Sequence, residues 1–262
     1  PDMGTNEGSM AQVRDVTGRS VGLPREVGGI PLDEIGATGL GLAVALDVVE
    51  QHTDFALDGA RVVIEGYGSV GKHAARFLAE EGALIVGAAD INGTVTCCDG
   101  LDVDKLLAIK AEDGNVIDYP DGPGIKKDTA EAIIDVACDI WIPAARPDVI
   151  REDNVDRLQT SMVVSGANIP MTSGAEKILH DRGVLCIPDF IANAGGVICA
   201  AMEYQGASEA AAMSIIAEKL TYNVHRVLDI VRSDNCLPRE AAENMAHRRV
   251  RRAMGLRRWS LF

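Results

Sequence analysis

The run Gly66-Tyr67-Gly68-Ser69-Val70-Gly71 has the G-x-G-x-x-G spacing of a turn that takes a diphosphate. Each glycine there answers a different steric demand. Gly66 permits a tight turn, Gly68 lets backbone approach an anion with no side chain between, and Gly71 lets a helix lie close on a strand. The N–H groups of Ser69 and Val70 then face the anion with the helix dipole behind them. Asp90 follows Gly71 by 19 residues, where a carboxylate accepts from adenosine ribose hydroxyls and repels a 2′-phosphate. Together they point to a nicotinamide dinucleotide, NAD in preference to NADP. A plain glycine turn and an ordinary loop acid are the blander alternatives.

A motif this short has meaning only through the elements that hold it. Apolar patterning predicts a strand over residues 60–65, a helix over 70–81 and a second strand over 84–90, which is one βαβ unit with the glycines at its first turn. Short apolar runs at 140–142, 162–164 and 184–187 alternate with helical stretches at 153–158 and 173–182, as in a parallel sheet. After Pro188 the strands stop, and helices are expected over 193–204, 208–232 and 238–254, the last with Pro238 in its first turn. Ahead of the motif, the spacing of Ile35, Leu40, Leu42, Ala43, Leu46 and Val49 predicts a helix over 33–51. Its Gly36, Gly39 and Gly41 imply close approach of another element. The expected fold is α/β, a Rossmann doubly wound parallel sheet with a helical C-terminal extension. Residues 1–31, rich in Gly and helical only near 7–15, read as a connecting segment, and residues 32–262 as the NAD-binding domain.

Composition narrows the partners. The 262 residues are 47% hydrophobic but only 4% aromatic, which suits parallel strands closely covered by helices. A formal charge of −14 repels nucleic acid and anionic lipid, so neither is expected as a partner. The basic cluster at 248–258 reads as the solvated end of a terminal helix. Six cysteines without C-x-x-C spacing read as buried reduced thiols rather than metal ligands, and no metal is expected. No apolar run reaches the roughly 18 residues of a membrane span, and the cytoplasm is the expected location. His52, His73, His180, His225 and His247 all fall in predicted helices without an orienting carboxylate. That argues against dehydrogenases whose catalytic base is a histidine.

Several further segments resemble one family. Gly36-Ala37-Thr38-Gly39-Leu40-Gly41, the glycine turn, Ile142-Pro143-Ala144-Ala145, Gly166-Ala167-Asn168-Ile169-Pro170-Met171-Thr172 and the run from Pro188 through Asn193-Ala194-Gly195-Gly196-Val197 occur in this order. They resemble the coenzyme domain of the glutamate/leucine/phenylalanine/valine dehydrogenases, most closely the glutamate branch. The resemblance implies that Thr38 and Asn193 hydrogen-bond the nicotinamide carboxamide and that Asn168 lies against the nicotinamide ribose. It also implies that Ala144 and Ala145 form a small-residue loop crossing near the coenzyme.

The opening Pro1-Asp2-Met3-Gly4-Thr5-Asn6-Glu7 resembles the family segment that carries the catalytic Asp, making Asp2 the expected proton-transfer carboxylate. Its partner Lys belongs to a G-G-x-K-G-G segment that does not occur in these residues. The expectation is therefore a coenzyme half cut just after a substrate domain, binding NAD but without the full deamination of an amino acid. Family members are commonly hexamers. Glutamate is the expected substrate, although Ala200 stands where glutamate members carry a Ser that holds the side-chain carboxylate; an apolar residue there suits branched-chain or phenylalanine substrates. A non-catalytic module regulated by NAD is the alternative from another class.

Overall fold

The computed structural model describes residues 4–256. Helix α1 (Glu7–Thr17) is started by Asn6 and Ser9, which cap each other's backbone, and it buries no side chain. Helices α2 (Leu32–Ile35) and α3 (Ala37–His52) replace the single helix expected over 33–51. The break falls at Gly36, at φ +76°, where a Cβ would lie 2.5 Å from the ring of His73. Only glycine takes that backbone next to that ring.

The sheet begins at β1 (Arg61–Glu65), followed by α4 (Ser69–Glu80), β2 (Leu84–Asp90) and β3 (Gly93–Thr96). Next come α5 (Val103–Ala111), β4 (Lys126–Asp128), β5 (Ile140–Pro143), β6 (Met162–Val164), α6 (Ser173–Asp181) and β7 (Leu185–Ile187). The chain closes with α7 (Asp189–Ala192), α8 (Gly195–Tyr204), α9 (Glu209–Asp234) and α10 (Pro238–Gly255). The seven strands lie in the order β4-β3-β2-β1-β5-β6-β7. The doubly wound α/β architecture is as expected, with one addition. β3 and β4 are antiparallel and extend the parallel sheet at the β2 edge.

Alternation along the strands explains why they read as unbroken apolar runs. Val62, Ile64, Ile140, Ile142, Met162, Val164 and Ile187 pack with α3, α4, α9 and α10 on one face. Val63, Trp141, Val163 and Cys186 pack on the other with Ile133, Ala175 and Leu179. Strands covered on both sides need apolar residues at every position. Some expectations need correction. Residues 153–158 hold only a 3-10 turn, Val155–Arg157, and the helix expected from 193 begins at Gly195 behind the separate turn of α7. Cys97, Cys186 and Cys199 are buried as expected, whereas Cys98 is exposed. No described helix is long and apolar enough to cross a membrane.

Candidate coenzyme site

β1 has β2 on one side and β5 on the other. The chain therefore winds in opposite directions from this point, and the crevice beyond the strand ends is where open α/β sheets take ligands. Every described candidate residue lies on this margin or on the helix ends that border it. The loops leaving the strands are stitched in sequence. Gly66 and Tyr67 donate their N–H groups to Ala89 O at 3.0 and 2.8 Å, Ala144 donates to Glu65 O at 2.6 Å, and Gly166 and Ala167 donate to Pro143 O at 2.9 and 2.8 Å. Each loop hangs from the end of its neighbour's strand.

The three motif glycines are separated by what a side chain would meet. At Gly66, at φ +96°, a Cβ would lie 2.5 Å from Ala145 N; at Gly71 it would lie 2.0 Å from Gly66 O. Both are excluded by packing. At Gly68 a Cβ would meet nothing within 4 Å. The space there is open, and α4 begins beside it at Ser69 with no side chain capping its first N–H groups. An uncapped helix start facing open space is the donor set that an anionic diphosphate fits. The Ser69 hydroxyl points elsewhere, to Asp33 O at 3.4 Å, so its N–H rather than its side chain is what it offers an anion. Tyr67, between the glycines, is fully buried with its hydroxyl unpartnered.

Asp90 ends β2 as expected but is not a free acid. Its Oδ1 accepts from Asn92 N at 3.0 Å, and its Oδ2 accepts from Val116 N at 2.9 Å and from Lys110 Nζ at 3.2 Å. Nothing in the local sequence announces Lys110, which α5 carries to this carboxylate from 20 residues away. The ammonium offsets much of the negative charge that would repel a 2′-phosphate.

At the other end of the margin, Asn193 Nδ2 donates to Asn168 Oδ1 at 2.7 Å and to Gly166 O at 3.2 Å. Thr38 lies in the first turn of α3, and a Cβ on Gly196 would come 2.9 Å from its hydroxyl oxygen. A Cβ on Gly195 would come 1.9 Å from Ala37 O, so the starts of α3 and α8 touch backbone to backbone. Ala144 is small for a similar reason, facing the place a Gly166 side chain would fill. Asn168 and Asn193 thus form one polar pair, Thr38 lies against Gly195 and Gly196 just beyond Asn193, and the Ala144–Ala145 loop runs between Gly166 and the glycine turn at Gly66. Asp2 lies outside the described residues.

Sequence reasoning passed over three acids in this region, Asp189 buried and Glu65 and Glu203 half-buried. Glu65, beneath the turn, accepts from Ala145 N at 3.4 Å, and burial pushes its carboxyl above the usual range. Asp189, at the start of α7, accepts from Ile169 N at 2.7 Å and from Arg239 at 3.0 Å. Glu203 on α8 accepts from Gly22 N, and from Leu23 N at 3.2 Å, so residues 22–23 are fastened to the helix that carries Ala200. An acid opening a helix, as at Asp189, is a signal the sequence does contain; the partners of the other two come from far along the chain. Among the described residues no cluster of His, Cys, Asp and Glu could hold a metal ion.

Comparison with known proteins agrees with this geometry. The model of the glutamate/leucine/phenylalanine/valine dehydrogenase family matches residues 28–258. The NADP-specific glutamate dehydrogenase of Saccharolobus shibatae is 40% identical over 78% of this chain and 49% of its own length. The glutamate dehydrogenase of Aeropyrum pernix is 38% identical over 91% of this chain and 58% of its own. The chain thus spans about half the length of these relatives. Among solved structures, the hetero-hexameric glutamate dehydrogenase of Thermus thermophilus, in its Leu bound form, superposes with a TM-score of 0.86. The two are 25% identical over 99% of this chain and 64% of that one. With nearly all of its described elements inside the matched span and its crevice built from the segments that carried the resemblance, the chain belongs to the glutamate/leucine/phenylalanine/valine dehydrogenase family.

Proposed function

We propose that these residues form the coenzyme-holding part of an amino-acid dehydrogenase. The reaction would be the reversible oxidative deamination of L-glutamate to 2-oxoglutarate and ammonium, with NAD. The observation that carries this reading is the uncapped start of α4 beside the open space at Gly68, on the same margin of the sheet as the Asn193–Asn168 amide pair. The coenzyme, when bound, supplies the hydride acceptor. The chain's own part is to bind and orient. The N–H groups of Ser69 and Val70 take the diphosphate, Asp90 takes the adenosine ribose, and Thr38, Asn168 and Asn193 fix which face of the nicotinamide meets the substrate. Such fixing lowers the barrier by holding reactants near their attack geometry. Asp2 is assigned the proton transfers that accompany imine formation and hydrolysis. Residues 1–31 are read as the link to a substrate-binding domain and residues 32–262 as the coenzyme domain.

Glutamate is favoured because the relatives described above are named glutamate dehydrogenases. Ala200 on α8 supports a second reading, an uncharged amino acid. NAD is favoured over NADP by Asp90, with the margin narrowed by Lys110. Assembly as a homo-oligomer and residence in the cytoplasm complete the proposal. Titration calorimetry with NADH and NADPH tests the central claim. Gly68→Val should abolish binding without unfolding the chain, and equal binding by both proteins would refute it. In the enzyme carrying its substrate domain, turnover of leucine or valine in preference to glutamate would select the second reading.

A further inference from the structure

Asp189 bonds Asn193 through its backbone and the neighbour of Asn168 through its side chain. Its carbonyl accepts from Asn193 N at 2.8 Å across the single turn of α7. Its Oδ2 accepts at 2.7 Å from the N–H of Ile169, the neighbour of Asn168. Ile169 adopts φ +50°, a left-handed conformation costly for a β-branched side chain, and it is 60% exposed, so burial of its side chain does not hold it there. Hydrogen bonds on both sides of its backbone do: the Asp189 carboxylate on its N–H and the N–H of Asp148 on its carbonyl at 2.9 Å. The carboxylate is in turn fixed by Arg239 from α10, whose Nη2 lies 3.0 Å from Asp189 Oδ1 and whose Nε lies 2.7 Å from Glu176 Oε2. Glu176 and Asp189 are both buried. The guanidinium is therefore the cation that permits two acids to sit together out of water.

We infer that Arg239 and Asp189 are positioning residues for the nicotinamide end of the site. The C-terminal helix α10 holds the Ile169 turn strained so that Asn168 stays within reach of Asn193. This inference rests on the coenzyme reading above. It assigns α10, which supplies no group to the crevice, a role in setting nicotinamide orientation while leaving the diphosphate end untouched.

NADH and ADP-ribose, which lacks the nicotinamide, separate the two ends. The unmutated chain should bind NADH more tightly than ADP-ribose. Arg239→Met should weaken NADH about tenfold and leave ADP-ribose within about twofold. Arg239→Lys should recover part of the loss, and Glu176→Gln, which leaves the Arg239–Asp189 contact in place, should change neither ligand. Amide exchange at Ile169 in the unmutated chain gives a check that no folding failure affects. Slow exchange at this exposed loop residue is expected, and rapid exchange overturns the inference. Equal losses for both ligands in Arg239→Met, or no loss, also overturn it while leaving the coenzyme reading intact. Equal affinity of the unmutated chain for NADH and ADP-ribose would instead remove the oriented nicotinamide itself, and the inference with it.

Discussion

The amide of Asn193 donates to Asn168 Oδ1 at 2.7 Å while also holding Gly166 O at 3.2 Å, so one side chain joins two strand-end loops. Asn193→Ala removes both bonds and should cost about 1–2 kcal/mol of stability. Asn168→Ala removes one, at an exposed position, and should cost about half a kcal/mol. The double variant should fall short of the sum by roughly 0.5 kcal/mol or more, because the two share a bond. Urea midpoints measure all three, and strict additivity would deny the coupling.

Gly68 and Gly71 should part company when each becomes alanine. At Gly71 the added methyl collides with Gly66 O and with Ile64, a packing insult of about 3 kcal/mol or more. At Gly68 the methyl meets open space, so the melting temperature should hold while NADH affinity falls about tenfold or more. A Gly68→Ala protein that melts normally and binds NADH as before would mean the diphosphate lies elsewhere.

His73 gives the fold a dependence on acid. It is buried with both ring nitrogens unpartnered. Burial, and then the charges of Arg76 and Lys72, bring its pKa down to about 4. Because the folded value is depressed, the neutral ring contributes its full stability above the ordinary histidine range near 6.5. That contribution is lost as pH falls towards about 4, by a total on the order of 3 kcal/mol. His73→Leu removes the titration and should flatten the fall in urea midpoint between pH 6.5 and about 4. An unchanged acid limb would place the sensitivity in other groups.

Lys110 should bear on which coenzyme is taken. With its Nζ 3.2 Å from Asp90, it masks charge that a 2′-phosphate would otherwise meet. Lys110→Met should weaken NADPH several-fold more than NADH, by roughly 1 kcal/mol of difference. Parallel losses of the two in calorimetry would show that the pair serves stability alone.

The sequence made the first βαβ unit legible because three signals coincide there: apolar strands over Arg61–Glu65 and Leu84–Asp90, three glycines at the turn, and an acid at the second strand's end. β3 and β4 were not legible. Gly93–Thr96 is four residues long and Lys126–Asp128 is three, all exposed, so neither has the apolar run that marks a strand. β3 takes its strand character from pairing with β2, and β4 from pairing with β3. The site divides the same way. Thr38, Asn168 and Asn193 are identified only by the segments around them, since either amide alone is equally a cap or a turn former. Lys110, Arg239 and Glu203 act across separations of 20, 50 and 180 residues, and no local pattern encodes such a meeting.

The short, charged β4 has a bearing on the molecule in solution. A sheet margin with free N–H and carbonyl groups is a template on which another chain can add a strand. Here that margin is three residues of Lys, Lys and Asp, with Lys127 held by Asp121 at 2.8 Å. It is too brief to give an incoming strand a register and too polar to give it an apolar face. On that margin the sheet carries its own guard against fibrous association, even when the protein is concentrated.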